Sequence, residues 1–169
     1  MELFNSNLDI SYGQFYMVSG DSEYDLDAAF KGQTNGLCGA ADAPNLVFIT
    51  GLHTGHVELG VYLHQSTPVL DQTWEDVVEV SYQVTGELSI EECCGSTLDP
   101  LPIPPATYRV RYSGRKMDEA REEDCVLEDE PASTAIVWTS GQQPSRQPIK
   151  SSASTANKPP TGTRPGASR

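Results

Sequence analysis

The stretch HVELGVYLH, residues 56–64, decides the fold class of this 169-residue chain. Its apolar side chains alternate with polar or small ones along the whole stretch. Because successive side chains of a β-strand point to opposite faces of a sheet, this period of two predicts a half-buried strand. The expected inward-facing set is Val57, Leu59, Val61 and Leu63, and the expected outward-facing set is Glu58, Gly60, Tyr62 and His64.

Further short β patterns lie on both sides of this strand, at residues 8–18, 46–50, 77–84, 87–91, 107–112 and 135–139. Turn-forming residues separate most of them, and Thr85-Gly86 has the composition of a tight hairpin turn. We therefore predict an all-β fold, a single antiparallel β-sandwich of jelly-roll type with about seven to eight strands.

Three segments depart from the strand pattern. Residues 24–32, YDLDAAFKG, predict one or two helical turns that end at a glycine cap. The charged residues 117–124 predict an exposed helix or loop. Four prolines within residues 98–105, LDPLPIPP, exclude a regular central strand and predict an extended connection.

The composition changes after Ser140, and this change predicts the domain organisation. Residues 141–169 contain five prolines, many serines and threonines, and Ile149 as the one large apolar side chain. Such a segment buries too little apolar surface to offset the entropy of ordering it. We therefore predict a β-sandwich domain over residues 1–140 and a disordered, basic tail rich in Pro, Ser and Thr over residues 141–169.

The formal net charge of −13 is unevenly distributed along the chain. Residues 1–140 hold all 24 acidic and six basic residues, a net charge of −18, whereas the tail carries five basic residues and no acidic one. Binding to a phosphate backbone requires clustered lysine and arginine side chains, so the acidic body argues against nucleic-acid binding. A basic protein is the partner that such a body attracts, although acidity also serves solubility alone.

Cellular location is predicted from what the sequence lacks. Apolar runs reach five residues at most, and the N-terminus has no basic start of a secretory signal. A transmembrane helix needs roughly 20 consecutive apolar residues, and a signal peptide about 7–15. We expect a cytoplasmic protein without a membrane segment, in which four thiols are reduced, those of Cys38, Cys93, Cys94 and Cys125.

Two groups of residues resemble parts of metal sites. The alternating acids of residues 21–27 resemble the first half of a calcium-binding loop, but Leu26 and Gly32 stand where that loop requires glycine and glutamate. His53 and His56 are weak candidate ligands, because the rest of a site would have to come from elsewhere in the chain. The alternative function is therefore binding of a divalent metal or a small ligand around the three histidines, His53, His56 and His64, and the acidic loop of residues 21–27.

Motifs of catalysis are absent from the sequence. It contains no nucleophile elbow, no phosphate-binding loop and no dinucleotide-binding fingerprint. No cysteine is accompanied by a recognisable base. These observations predict a protein that is not an enzyme and that needs no cofactor.

Several motifs distributed over residues 8–138 resemble those of known bacterial proteins. The segment DISYGQF (residues 9–15), followed by the Ala/Gly-rich residues 36–43, resembles the start of the competence protein J family, small proteins associated with a DNA-entry nuclease. A group of uncharacterised actinobacterial β proteins is similar over TGLHTGHVELGVYLH (50–64), WEDVVEVS (74–81), YRVR (108–111), GRKMDEAR (114–121) and residues 130–138. The resemblance implies a shared fold and, from the first family, inhibition of a nuclease by direct binding.

Charge, motif content and resemblance together predict a non-catalytic, acidic protein-binding module. Its expected partner is a basic protein, and the family resemblance implies a nuclease that the module would inhibit or confer immunity against. Two acid-rich segments are the expected partner-binding residues: Asp21, Glu23, Asp25 and Asp27 in the first, and Asp118, Glu119, Glu122 and Glu123 in the second. The sequence leaves the oligomeric state and the identity of the partner open.

Overall fold

The protein's structure is a computed structural model that describes residues 1–23, 25–126 and 132–140, with Val126 and residues 132–140 described through their backbone. The predicted disordered tail, residues 141–169, lies outside the described residues. Within the described part, strands greatly outnumber helices, which confirms the predicted all-β class. None of the helices in that part is long and apolar enough to cross a membrane.

Ten strands and two short helices make up the described fold. The strands are β1 (Glu2–Ile10), β2 (Gln14–Ser19), β3 (Cys38–Gly39), β4 (Asn45–Ile49), β5 (Thr54–His64), β6 (Asp76–Val84), β7 (Leu88–Glu92), β8 (Ala106–Gly114), β9 (Cys125–Val126) and β10 (Ala132–Ser140). The helices are α1 (Leu26–Ala29) and α2 (Met117–Glu123). β5 contains the whole alternating stretch of residues 56–64, and its side chains Val57, Leu59 and Val61 are fully buried as predicted. Leu63, predicted to face inward, is half-buried, and Gly60, predicted to face outward, is buried.

The strands form two open sheets. The larger has the order β1-β5-β10-β8-β6, with β9 also beside β5, and the smaller has the order β3-β4-β2-β7. β10 runs parallel to β5 and antiparallel to β8, so the larger sheet is mixed rather than antiparallel throughout as predicted. Alternation within a strand reports which side chains share a face and carries no information about neighbouring strands. The jelly-roll arrangement is not confirmed.

The predicted strand of residues 8–18 is two strands in different sheets. The chain turns at Tyr12 and Gly13, whose φ angles of 57° and 67° lie in the left-handed region. β1 before the turn belongs to the larger sheet, and β2 after it belongs to the smaller one. Because a left-handed pair interrupts an extended backbone whatever the side-chain pattern, the alternation of apolar residues concealed the turn.

Thr85-Gly86 does not form the predicted hairpin turn. The strands that it connects, β6 and β7, lie in different sheets, so the connection crosses from one layer to the other. The hydroxyl oxygen of Ser19 accepts hydrogen bonds from the Thr85 and Gly86 amides, both at 2.9 Å, and these bonds hold the crossing in place. Two strand patterns on either side of a turn do not by themselves show that the strands pair.

The larger of two hydrophobic clusters among the described residues draws side chains from both sheets. At its centre, Phe15 and Phe48 of the smaller sheet stack with their ring centroids 4.7 Å apart. Tyr112 of the larger sheet meets both rings edge-on, at 6.5 and 5.1 Å, and its hydroxyl donates to the Ile49 carbonyl at 3.0 Å. Tyr112 therefore joins the two sheets through ring packing and through a hydrogen bond.

Candidate functional site

The two acid-rich segments predicted to bind a partner lie at opposite ends of the smaller sheet. Residues 21–27 follow the end of β2 and are tied to the start of β4, because the Asn45 side-chain amide donates to the Glu23 carbonyl at 2.9 Å. The other segment is α2, whose first residue, Met117, packs on Gly51 in the loop after β4. β2 between the two ends has six residues and is about 17 Å long, so the segments do not form one surface.

In the first segment, Asp25 has a structural role. Its Oδ1 accepts hydrogen bonds from the amides of Asp27 at 2.9 Å and Ala28 at 3.2 Å, and it thereby caps α1. Caps of this kind contribute about 1 kcal/mol to stability. The other three acids of the segment are exposed and stay candidates for partner binding: Asp21, Glu23 and Asp27.

The second segment is an amphipathic helix whose acidic face is exposed. Met117 and Ala120 are buried against the β fold. The exposed side carries all four predicted acids, Asp118, Glu119, Glu122 and Glu123. Asp118 pairs with Arg121 at 2.7 Å, and an exposed pair of this kind contributes only about 0–1 kcal/mol. The helix therefore offers a dense set of carboxylates to solvent.

Glu75 and Asp76 adjoin α2 and enlarge its acidic surface. The Glu75 carboxylate accepts a hydrogen bond from the Lys116 amide at 2.7 Å, immediately before the helix. Partial burial and then the charge of Asp118 raise the pKa of Asp76, with a smaller contribution from Glu75, whereas Arg121 opposes the shift. Burial is the main cause of this shift, and Asp118 and Glu75 show that negative charge also lies near that carboxyl. We call this surface the acidic end, defined by Glu75, Asp76, Asp118, Glu119, Glu122 and Glu123.

Three loops meet beside the acidic end and are held together by backbone hydrogen bonds. The Gly13 amide donates to the His53 carbonyl, and the Thr50 amide donates to the Gly13 carbonyl, both at 2.8 Å. The His53 amide in turn donates to the Asp124 carbonyl at 2.9 Å, which connects the residue after α2 to the other two loops. The DISYGQF motif, which carries the resemblance to the competence protein J family, therefore contacts the TGLHTGHVELGVYLH motif, which carries the resemblance to the actinobacterial β proteins.

Two residues at this junction have a strained backbone. Tyr12 has a φ of 57°, and Asp124 has φ and ψ angles of 64° and −60°. Such conformations cost of order 1–3 kcal/mol each in non-glycine residues and cluster at functional sites. Tyr12 is also 66% exposed, and its ring lies edge-on to the His53 ring at 5.6 Å. An exposed aromatic residue in a fixed position is well suited to anchor a protein partner.

The predicted histidine pair does not converge on one site. The His56 Nδ1 atom lies 2.7 Å from the carboxylate of Asp9, on the neighbouring strand β1. Among the described residues, His53 instead clusters with Asp124 and Cys125, and their potential ligand atoms all lie within 4.8 Å of one another. The sequence does not predict this cluster, because His53 is distant along the chain from Asp124 and Cys125, and the three match no metal-binding spacing.

The four thiols differ in their environments. Cys93 and Cys94 are adjacent after β7, with their sulfur atoms 3.8 Å apart. Burial raises the pKa of the Cys93 thiol, but its hydrogen bonds with three neighbours outweigh burial and lower the pKa below its ordinary value: Tyr16, Gln14 and Cys94. The hydrogen bond with Cys93 and the charge of that neighbour raise the pKa of Cys94. Complete burial raises the pKa of Cys38, which makes it an inert thiol.

Replacing Gln14 with leucine is expected to slow the alkylation of Cys93 at neutral pH. The Gln14 side-chain amide donates to the Cys93 sulfur at 3.4 Å. Loss of this donor raises the pKa of the thiol and lowers the fraction present as the reactive thiolate. Iodoacetamide labelling, followed by mass spectrometry in a Cys94→Ser background, should show the pH–rate midpoint of Cys93 moving to higher pH. The alkylation rate of Cys125 serves as the internal control. If the midpoint of Cys93 does not move, the hydrogen bond from Gln14 does not lower the pKa of this thiol.

The fold and the acidic end define a class, that of small all-β proteins with two open sheets, one shared core and an acidic loop surface. No family model and no curated protein matches the sequence. Among solved structures, ComJ from Bacillus subtilis, an inhibitor of the DNA-degrading activity of NucA, is similar with a TM-score of 0.55 and 20% identity, over 83% of this chain and 98% of ComJ. The product of crocagin biosynthetic gene J is similar with a TM-score of 0.55 and 15% identity, over 84% of this chain and 98% of that one. The resemblance to the competence protein J family is therefore confirmed as a similarity of fold.

Proposed function

We propose that this chain is a non-catalytic, cytoplasmic protein-binding module that inhibits a basic nuclease by covering its DNA-binding surface. The observation that carries the proposal is the acidic end together with the exposed ring of Tyr12. The Tyr12 ring packs edge-on against His53, and the His53 amide donates to the carbonyl of Asp124, the residue after α2. The similarity of fold to ComJ, itself a nuclease inhibitor, supports the choice of a nuclease as the partner.

The electrostatics of the acidic end support a cationic protein partner. A nuclease that binds DNA presents positive charge to the phosphate backbone, and a carboxylate surface is complementary to that charge. Complementary charge accelerates association and suppresses the binding of wrong partners. The pKa of Asp76 is raised first by partial burial and then by the charge of Asp118, so this carboxylate lies close to other negative charge in the unbound protein. A cation from the partner would relieve this repulsion on binding.

Tyr12 provides the aromatic contact that carboxylates alone do not provide. Exposed carboxylates at the rim of an interface contribute mainly to the rate of association, whereas the residues that dominate affinity are commonly buried aromatic side chains. The ring of Tyr12 lies beside His53, and hydrogen bonds from the Gly13 amide and to the Gly13 carbonyl hold the turn in place. Little conformational entropy is therefore lost when a partner covers the ring. The proposed interface therefore combines Tyr12 as the aromatic anchor with the acidic end as the charged surface.

Neutralising three acids of α2 is expected to weaken nuclease inhibition at least about tenfold, equivalent to about 1.4 kcal/mol. The variant is Glu119→Gln/Glu122→Gln/Glu123→Gln, in which the side chains are exposed and their size is kept. The matched control is Asp21→Asn/Glu23→Gln/Asp27→Asn, which removes the same charge at the opposite end of the smaller sheet. Plasmid degradation is titrated with each protein, using NucA and the basic nucleases of the organism that carries this gene.

The results of this titration bear on both the proposed function and the proposed surface. The wild-type chain and the control should inhibit at least one nuclease near a one-to-one ratio, and added salt should narrow their advantage over the α2 variant. A Tyr12→Ala chain should lose inhibition by accelerated dissociation. Failure of the wild-type chain to inhibit any of the nucleases would overturn the proposed function. Equal losses in the variant and in the control would overturn the assignment of the surface.

A further inference from the structure

A cluster of three different metal-ligand types lies at the junction of the loops beside α2. His53 comes from the loop before β5, whereas Asp124 and Cys125 follow α2. One potential ligand atom from each residue lies within 4.8 Å of the other two, and all three residues are exposed. The cluster thus offers an imidazole nitrogen, a carboxylate oxygen and a sulfur to one small volume that a solvated ion can reach.

The donor set and its dimensions match Zn²⁺. Zinc accepts nitrogen, sulfur and oxygen ligands together in tetrahedral geometry, with bonds of about 2.0–2.3 Å. From these bond lengths, the sulfur and oxygen ligands of a tetrahedral zinc lie about 3.6 Å apart. The Cys125 sulfur lies 3.7 Å from Asp124 Oδ2. This distance is close to the separation that a tetrahedral zinc requires. Hard cations such as Ca²⁺ and Mg²⁺ take all-oxygen sites and would not use the thiolate.

Backbone contacts hold the three ligands in place. The Asp124 carbonyl accepts hydrogen bonds from the amides of His53 at 2.9 Å and Thr54 at 3.2 Å. Cys125 pairs with Thr54 where β9 runs beside β5. The His53 Nδ1 atom lies 2.9 Å from Thr54 Oγ1, a contact that orients the ring and leaves Nε2 for a ligand, as in many zinc sites. The ligand backbones therefore need little ordering when the ion binds.

We propose that this chain binds one Zn²⁺ through His53, Asp124 and Cys125, with a fourth coordination position open to water. Three protein ligands and one exchangeable position are the arrangement of zinc sites that bind an additional ligand, in contrast to structural sites closed by four side chains. The net negative charge of the neighbouring acidic end raises the local concentration of divalent cations. This proposal is independent of nuclease inhibition, since the site would bind zinc whether or not a partner is present.

Metal titration of the tag-free full-length chain tests the site. Zn²⁺ binding is followed by calorimetry, and Co²⁺ is used as a spectroscopic probe, because thiolate coordination produces a sulfur-to-cobalt charge-transfer band and tetrahedral geometry produces intense visible bands. The expected result is one ion per chain. Cys125→Ser should abolish the charge-transfer band, and His53→Ala should raise the dissociation constant of Zn²⁺ at least about tenfold.

Two matched variants separate this site from other ligands in the chain. His56→Ala removes an exposed histidine three residues away, and Cys94→Ser removes the other exposed thiol, so both should leave zinc binding and the cobalt spectrum unchanged. Far-ultraviolet circular dichroism checks that each variant is folded. Zinc binding that survives both Cys125→Ser and His53→Ala would overturn the proposal. So would a charge-transfer band that Cys94→Ser removes. The absence of stoichiometric zinc binding by the wild-type chain would also overturn it.

Discussion

Gly51→Ala should destabilise the protein by about 3 kcal/mol, at the upper end of the range for overpacked interiors. A Cβ atom at Gly51 would lie 2.7 Å from both the Cα and the carbonyl carbon of Met117, a separation that real Cβ atoms essentially never show. The obstructing atoms are backbone, so they cannot move aside as the end of a flexible side chain would. The helix that carries the acidic surface would have to shift as a unit away from the loop after β4.

Urea unfolding measures the loss of stability in Gly51→Ala, and amide hydrogen exchange measures the displacement of α2. The unfolding midpoint should fall, and exchange should increase in α2 more than in β5. Gly36→Ala is the matched control, because Gly36 is exposed and a Cβ there meets no other atom within 4 Å. Its free energy of unfolding should stay within about 1 kcal/mol of the wild-type value. A Gly51→Ala protein with wild-type stability and unchanged exchange in α2 would contradict the packing described here.

Tyr112→Ala should destabilise the protein by about 3–5 kcal/mol, the range for removal of a large buried aromatic side chain. Tyr112 is 1% exposed, and its ring is the contact from the larger sheet that meets both Phe15 and Phe48. Truncation leaves a cavity between the two sheets, where the stacked rings cannot collapse without moving their strands. The free energy of unfolding from urea titration measures the loss.

Tyr112→Phe distinguishes ring packing from the hydrogen bond to Ile49. This variant keeps the ring and removes the hydroxyl that donates to the Ile49 carbonyl at 3.0 Å, so we expect a smaller loss of about 1 kcal/mol. Similar losses in the two variants would show that the hydroxyl, and not the ring, joins the sheets. A loss below about 1 kcal/mol for Tyr112→Ala would contradict the central position of this residue.

Much of the secondary structure could be predicted, because strand and helix patterns are local. The alternation in residues 56–64 identified β5. The charged residues 117–124 were predicted as an exposed helix or loop, and the structure shows the helix α2 there. The errors concern what each strand pairs with. Residues 8–18 divide at Tyr12, and β6 and β7 belong to different sheets despite the turn between them. Pairing depends on contacts between distant residues, and a local pattern does not encode them.

The candidate site was predictable in its charge and not in its geometry. The exposure of the α2 acids follows from their composition, since carboxylates are rarely buried without a partner. Asp25 lies in an equally acidic segment but caps a helix, because its carboxylate lies within hydrogen-bond distance of the first amides of α1. The neighbours of His53 could not be inferred, because Asp124 and Cys125 approach it only when β9 pairs with β5.

The sequence by itself determined that this chain is rich in strands and that its first 140 residues carry a net charge of −18. It also determined which acidic segments are exposed to solvent. These are properties of composition and of short-range periodicity. Only the tertiary structure decided that the end of α2, and not residues 21–27, is connected to the turn at Tyr12 through His53, and that an imidazole, a carboxylate and a thiol meet there. The physical reason is that both arrangements arise from hydrogen bonds and packing between segments far apart in the chain, which the strand order of the two sheets brings together.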